Sequence, residues 1–149
     1  MWLAVDAIKK FRYTPKPRQL LTGWQPPSLG DFKWNVDGSS LGKPGLGGAG
    51  GVFRDHAGVV RCIFSIPYGI VDSNLAEVIA IRKALEILSL NNEFHDARVI
   101  VESDSTNVVK WVNQSPDDWP WTMHNELCLI KNFKGNLSFY LFCSYVKGK

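Results

Sequence analysis

Three carboxylates in this chain of 149 residues are spaced as a divalent-metal site would need them. They are Asp37 in Asn35-Val36-Asp37-Gly38-Ser39-Ser40, Glu77 in Ser73-Asn74-Leu75-Ala76-Glu77, and Asp104 in Val101-Glu102-Ser103-Asp104-Ser105. Asp37 closes one apolar run, Asp104 closes another, and Glu77 falls early in a long helical pattern. Hard oxygen ligands delivered by three separate elements suit Mg²⁺, which takes a few carboxylates and leaves room for water and phosphate oxygens. Two such ions can clamp the attacking and leaving oxygens of a phosphodiester. Each acid also has a plain structural role open to it. Asp-Gly-Ser is good turn chemistry, Glu77 could reach back to cap its helix, and Asp104 could be an N-cap. Glu102, two residues before Asp104, is a competing acid.

The elements that must hold these residues follow from the hydrophobic pattern. Phe32 to Asp37 alternates apolar and polar, with Phe32, Trp34 and Val36 on one face, and predicts a strand. Leu41 to Gly48 reads as a turn, Ala49 to Arg54 as a second strand, Asp55-His56-Ala57-Gly58 as a hairpin turn, and Val59 to Tyr68 as a third strand. The glycines before the second strand are not a phosphate-binding loop, because no Gly-Lys-Ser/Thr follows them. Asp72 or Ser73 can cap a helix running to about Leu90, with Ala76, Ala80 and Ala84 allowing close approach to a sheet. Glu77 lies on that side, where an unpaired carboxylate is expensive. Arg98 to Glu102 is apolar and β-branched, as in a strand buried on both faces. Asp104 or Ser105 caps a helix over Thr106 to Asn113. Ser115-Pro116-Asp117-Asp118-Trp119-Pro120 breaks it, Thr122 to Asn132 forms a third helix, and Leu137 to Val146 a final strand. This βββαβααβ order predicts an α/β domain built on a mixed sheet.

Length and composition bound the class. A chain of 149 residues fits one domain with a real core, and 45% hydrophobic with 21% charged residues is ordinary for a globular protein. No apolar run approaches the roughly 18 residues needed to span a bilayer. The start lacks a small-residue cleavage site, so the expected location is intracellular, nuclear or cytoplasmic, and not secreted. Three cysteines, Cys62, Cys128 and Cys143, with no C-x-x-C pair argue for buried thiols in a reducing compartment. The net charge of +3 is uneven: residues 1–30 hold five basic groups against Asp6, and the remainder twelve basic against thirteen acidic. Residues 1–31 therefore read as a basic, Pro-punctuated linker, with Trp2, Val5, Ile8 and Phe11 spaced for a short helix, and 32–149 as the domain.

A strand ending in Asp-Gly-Ser, a glycine-rich hairpin, a helix carrying Asn-x-Ala-Glu, and a strand ending in Ser-Asp-Ser occur here in that order. Together they resemble the ribonuclease H family, and more narrowly its form in plant retroelements and retroelement-derived genes. The resemblance covers roughly Phe32 to Lys149. It implies a mixed sheet of three antiparallel strands followed by parallel additions, with helices on both faces. It implies Mg²⁺, or Mn²⁺, held by Asp37, Glu77 and Asp104, which would also be the catalytic residues for hydrolysis of the RNA strand of an RNA–DNA hybrid. It selects Asp104 over Glu102, leaving Glu102 for a surface pair. It assigns contacts to the hybrid, made to 2′-hydroxyls by backbone amides and polar side chains, to Gly38, Ser39, Ser40, Ser73, Asn74 and Ser105. An upstream reverse-transcriptase-like region is the protein partner it suggests.

The chain departs from the family pattern in three places. The family carries a fourth carboxylate in an Ala-Asp motif on a helix after the last strand, whereas here no Asp or Glu follows Glu126. The family's loop histidine has no match, since His56, His95 and His124 lie elsewhere and read as surface residues. The basic helix of tight-binding members is replaced by the short, acidic Ser115 to Trp121, whose Trp119 and Trp121 could stack bases or pack locally. The expectation is a hybrid ribonuclease impaired by the absent acid and last helix. The alternative is a catalytically inactive nucleic-acid-binding or structural remnant of a retroelement-derived protein.

Overall fold

The computed structural model describes residues 25–135 and the backbone of 139–144. The expected helix near the amino terminus and most of the basic linker lie outside the described residues. Five strands form one sheet: β1 (Phe32–Ser40), β2 (Gly45–Asp55), β3 (Val60–Val71), β4 (Arg98–Ser103) and β5 (Phe139–Ser144). Helix α1 spans Ser73–Ser89, α2 Thr106–Asn113 and α3 His124–Lys134. The strand order is β3-β2-β1-β4-β5, with β1–β2 and β2–β3 antiparallel and β1–β4 and β4–β5 parallel. The mixed α/β architecture and the element order are those expected from the sequence. Among the described residues no helix is long and apolar enough to cross a membrane.

Strands β2 and β3 run longer than their side chains predict. Gly45 to Gly48, read as turn, pair with Ser39 and Ser40 of β1 and with Pro67, Ile70 and Val71 of β3. Ladder bonds on both sides hold a glycine-rich segment extended against its own weak strand preference. The third helix also starts later. Trp121 to Met123 form a 3-10 turn, and α-helical geometry begins at His124.

Helix α1 begins where its sequence signal placed it. The Asp72 side chain accepts the amide of Leu75 at 2.7 Å, satisfying a donor that the first turn leaves free. Ala76, Ala80 and Ala84 are fully buried along the face that meets the sheet. The sheet answers with Trp34, Val36, Phe53 and Phe64, and the rings of Trp34, Phe53, Phe32, Phe64 and Phe94 pack 4.9–5.5 Å apart between centroids. Both crossovers to parallel strands, β1 to β4 and β4 to β5, advance in the same direction across the sheet. Right-handed connections of that kind put their helices on one face, and α1, α2 and α3 do contact one another. A helix on the opposite face, also expected, is not among the described residues.

Strand β4 departs from the expectation of burial on both faces. Val99, Val101 and Ser103 are buried, while Ile100 and Glu102 are half-buried and Arg98 is exposed. The opposite side carries a polar chain instead. Lys33 pairs with Glu102 at 2.8 Å, Asn35 donates to Glu102 at 2.9 Å, and Arg54 donates to Asn35 at 3.4 Å. Glu102 therefore makes a largely enclosed pair rather than the surface pair expected, because Lys33 stands beside it on the adjacent parallel strand. Residues 25–31, assigned to the linker, pack on the domain. Pro27 is buried, Gln25 O accepts from Lys33 Nζ at 2.7 Å, and Asp31 pairs with Arg98.

Candidate divalent-metal site

Asp37, Glu77 and Asp104 converge. One carboxylate oxygen from each lies within 4.8 Å of the others. Asp37 is exposed in β1 between buried Val36 and Gly38, so the pleat turns it away from the core. Asp104 directly follows β4, and Glu77 comes from the second turn of α1. The approach of Glu77 depends on Gly38. A Cβ at Gly38 would overlap the backbone of Ala76 and Glu77, so only a glycine lets the helix sit this close to β1.

The pairing of β4 with β1 ends at Val36–Ser103. Past that point the edge of β1 has no β4 neighbour, and the Gly38 backbone amide favours the ionised form of the Glu77 carboxylate. Glu77 is only 8% exposed and accepts a hydrogen bond from Ser103 Oγ to Oε2 at 3.3 Å. Burial, a hydrogen bond with Asp37, and the charges of Asp104 and Asp37 push the Glu77 carboxyl up to about 8, against the opposing pull of the Gly38 amide. Three acids crowded at one place, one of them buried, favour keeping a proton for that reason.

A divalent cation fits this donor set. The ligands are hard carboxylate oxygens, the donor type Mg²⁺ takes, and they lie within 4.8 Å of one another. The cation would also supply the positive charge that the raised Glu77 carboxyl lacks.

The alternatives open at the sequence level separate cleanly here. Ser105, not Asp104, caps α2, its hydroxyl accepting the amide of Val108 at 3.3 Å, which leaves the Asp104 carboxylate for the cluster. Asp72 caps α1, so Glu77 is not a capping residue. Among the residues assigned to nucleic acid, Ser39 and Ser73 are exposed, and Asn74 is half-buried at the start of α1. Gly38, Ser39 and Ser40 belong to β1 rather than following it. Gly38 is buried under α1, and Ser40 donates its hydroxyl to Gly42 O in the hairpin. Trp119 is taken up by packing, with Nε1 donating to Trp111 O at 2.8 Å, whereas Trp121 is 87% exposed. His56 and His124 are exposed, and His95 is half-buried with a ring nitrogen 3.2 Å from Ser89 O. The residue missed from sequence is Ser103. Its signal was the period-two burial of β4, which aims residues 99, 101 and 103 inward, so a buried hydroxyl there must find partners.

A profile of the family described as reverse transcriptase-like matches residues 35–131, a span that includes all three acids. An Arabidopsis thaliana protein carrying a provisional ribonuclease H name is 34% identical over 115 residues, 76% of this chain. The chain spans 18% of that relative's length. Among solved structures, the fold is similar to LC11-RNase H1, isolated from compost by a metagenomic approach. That match has a TM-score of 0.73 and 25% identity, over 80% of this chain and 86% of the other. A second structure of LC11-RNase H1, in complex with an RNA/DNA hybrid, matches with a TM-score of 0.72 at 24% identity, over 78% and 86% of the two chains. The foamy viral protease-reverse transcriptase, also in complex with an RNA/DNA hybrid, matches at 0.68 and 17% identity, over 85% of this chain and 19% of that one.

Proposed function

Because the chain belongs to the reverse transcriptase-like family and has a ribonuclease H fold, we propose that it hydrolyses the RNA strand of RNA–DNA hybrids with a divalent cation. The observation that carries this reading is the meeting of Asp37, Glu77 and Asp104 within 4.8 Å. These three residues would hold Mg²⁺ or Mn²⁺. When bound, the cation would polarise the phosphodiester and favour ionisation of the attacking water. The rest falls to the protein. Asp37, exposed on β1, and Asp104, half-buried directly after β4, would offer carboxylates beside a backbone phosphate. Glu77 supplies a buried carboxylate held by Ser103 and Gly38. Ser39, exposed two residues after Asp37, and Ser73 and Asn74, at the start of α1, would offer hydroxyl and amide groups to ribose 2′-hydroxyls.

The hybrid-bound forms of LC11-RNase H1 and of the foamy viral enzyme support the choice of substrate. In the foamy viral protein the matching region is 19% of a longer chain, which supports a reverse-transcriptase-like region as partner.

The test is a labelled RNA–DNA hybrid incubated with Mg²⁺ or with chelator, beside Mg²⁺ titration followed by NMR. Cation-dependent cleavage of the RNA strand, abolished by Asp104→Asn, is expected, with shifts centred on residues 37, 77 and 104. Shifts scattered elsewhere, or cleavage that survives Asp104→Asn, would overturn the assignment. Hybrid binding without cleavage would favour the inactive binding remnant.

A further inference from the structure

We infer that Ser103 is a positioning residue for this site: its hydroxyl orients the Glu77 carboxylate and ties it to the segments that carry Asp37 and Asp104. The inference rests on the proposed function and adds to it a group that touches neither cation nor substrate.

Ser103 is the last residue of β4 and is fully buried. A serine hydroxyl has one proton to give and two lone pairs to receive. Its proton goes to Glu77 Oε2 at 3.3 Å, and its oxygen accepts the Ser105 amide at 3.1 Å. Its backbone pairs with Val36, the neighbour of Asp37. One residue thus meets all three ligand-bearing segments: β1 through the sheet, α1 through Glu77, and the β4–α2 turn through Ser105. That turn is itself fixed, because Ser105 caps α2.

The arrangement solves a problem peculiar to Glu77. Asp37, within β1, and Asp104, directly after β4, have short side chains, whereas a glutamate has one more rotatable bond and would sample several rotamers. The Ser103 hydroxyl, 3.3 Å from Oε2, favours one of them. An alanine at 103 would free one carboxylate oxygen and leave the half-buried Ser105 amide without this partner. A threonine keeps the hydroxyl and suits a strand end, where β-branching is tolerated.

The experiment compares wild type, Ser103→Ala and Ser103→Thr in the full 149-residue chain. Mn²⁺ binding is measured by water-proton relaxation, and cleavage of the hybrid by kcat and KM separately. Partners that orient a ligand from behind usually cost about 10- to 100-fold in metal affinity or activity when removed. Ser103→Ala should therefore weaken Mn²⁺ binding about 10-fold and lower kcat while leaving KM for the hybrid within about twofold. Ser103→Thr should restore both. The role is overturned if Ser103→Ala binds Mn²⁺ as wild type does, or if folded Ser103→Thr is as weak as Ser103→Ala. If Ser103→Ala loses its native amide spectrum, Ser103→Cys, of similar shape but a poor donor, takes its place in the same comparison. Failure of wild type itself to bind Mn²⁺ has a different signature. It removes the metal site, and the role of Ser103 with it.

Discussion

Glu77 shows how a single side chain reports on its surroundings. In solution its carboxyl would ionise near the ordinary value of 4.5, whereas burial beside Asp37 and Asp104 raises it to about 8. The folded protein therefore keeps a proton that the unfolded chain releases above about pH 4.5. The sign follows by linkage. Between about pH 4.5 and 8 the native state binds more protons than the unfolded one, so metal-free stability falls as pH rises through that window and levels off above it. Glu77→Gln, neutral at every pH, should remove that slope and be more stable than wild type at pH 8.5 by an amount on the order of a few kcal/mol. Mg²⁺ should flatten the slope in wild type, because a cation favours the ionised carboxylate. Thermal unfolding from pH 5 to 8.5, with chelator and with Mg²⁺, measures this. Parallel curves for the two proteins would mean that Glu77 ionises normally and that the cluster is looser than described.

At the scale of elements, the site exists because helix α1 lies against β1 at one glycine. Gly38 has no room for a side chain under the backbone of Ala76 and Glu77. Gly38→Ala should push the amino-terminal end of α1 outward, costing about 1–3 kcal/mol as an overpacked contact. It should also weaken Mn²⁺ binding, since Glu77 moves with the helix. Denaturant unfolding combined with Mn²⁺ titration tests both, and a stable variant with normal binding would show that the helix has slack. The far side of α1 is held more firmly. Arg82 pairs with Glu126 of α3 at 2.5 Å and with Glu86 at 3.1 Å, and Tyr68 of β3 donates to Glu126 at 3.3 Å. Burial and the neighbouring Glu126 charge raise the Tyr68 hydroxyl above its usual range, so it stays a donor across the physiological span. These bonds anchor α1 to α3 and β3, and any shift caused at Gly38 should concentrate at the end that carries Glu77.

For the whole molecule, charge and docking decide how nucleic acid is met. The chain beyond residue 30 holds thirteen acidic groups against twelve basic ones, and several of those cations are spent in ion pairs, such as Lys33–Glu102, Arg61–Glu93 and Arg98–Asp31. Residues 1–24 hold all five basic groups of the amino-terminal stretch, with Asp6 as the one acid. Affinity for phosphate backbones comes largely from counterion release. Deleting 1–24 should therefore weaken hybrid binding and flatten its salt dependence while leaving the melting temperature within a few degrees. Deleting 1–31 should act differently, because it also removes buried Pro27, the Gln25–Lys33 bond and the Asp31–Arg98 pair. That truncation should lower the melting temperature by about 4 °C for each kcal/mol lost in a domain of this size. Calorimetry and binding at two salt concentrations separate the effects. Equal melting temperatures for both truncations would mean that the strap over 25–31 holds nothing.

The sequence by itself determined the order of the elements and a helix start at Asp72 or Ser73, because these rest on local physics, and the resemblance carried by motif order picked out the three acids that meet. Alternation marks strands, a carboxylate before a helical run marks a cap, and motif order survives without coordinates. Tertiary structure alone decided which structural role each polar residue took. Asp104 was freed from capping because Ser105 does it, Glu102 was enclosed because Lys33 stands on the neighbouring strand, and Ser103 acquired two partners from elements 26 residues apart in one case and two in the other. Glycine-rich β2 became a long strand only through ladder bonds to β1 and β3. A sequence announces what a side chain can do. Which of those things it does depends on neighbours that the chain brings close only by folding.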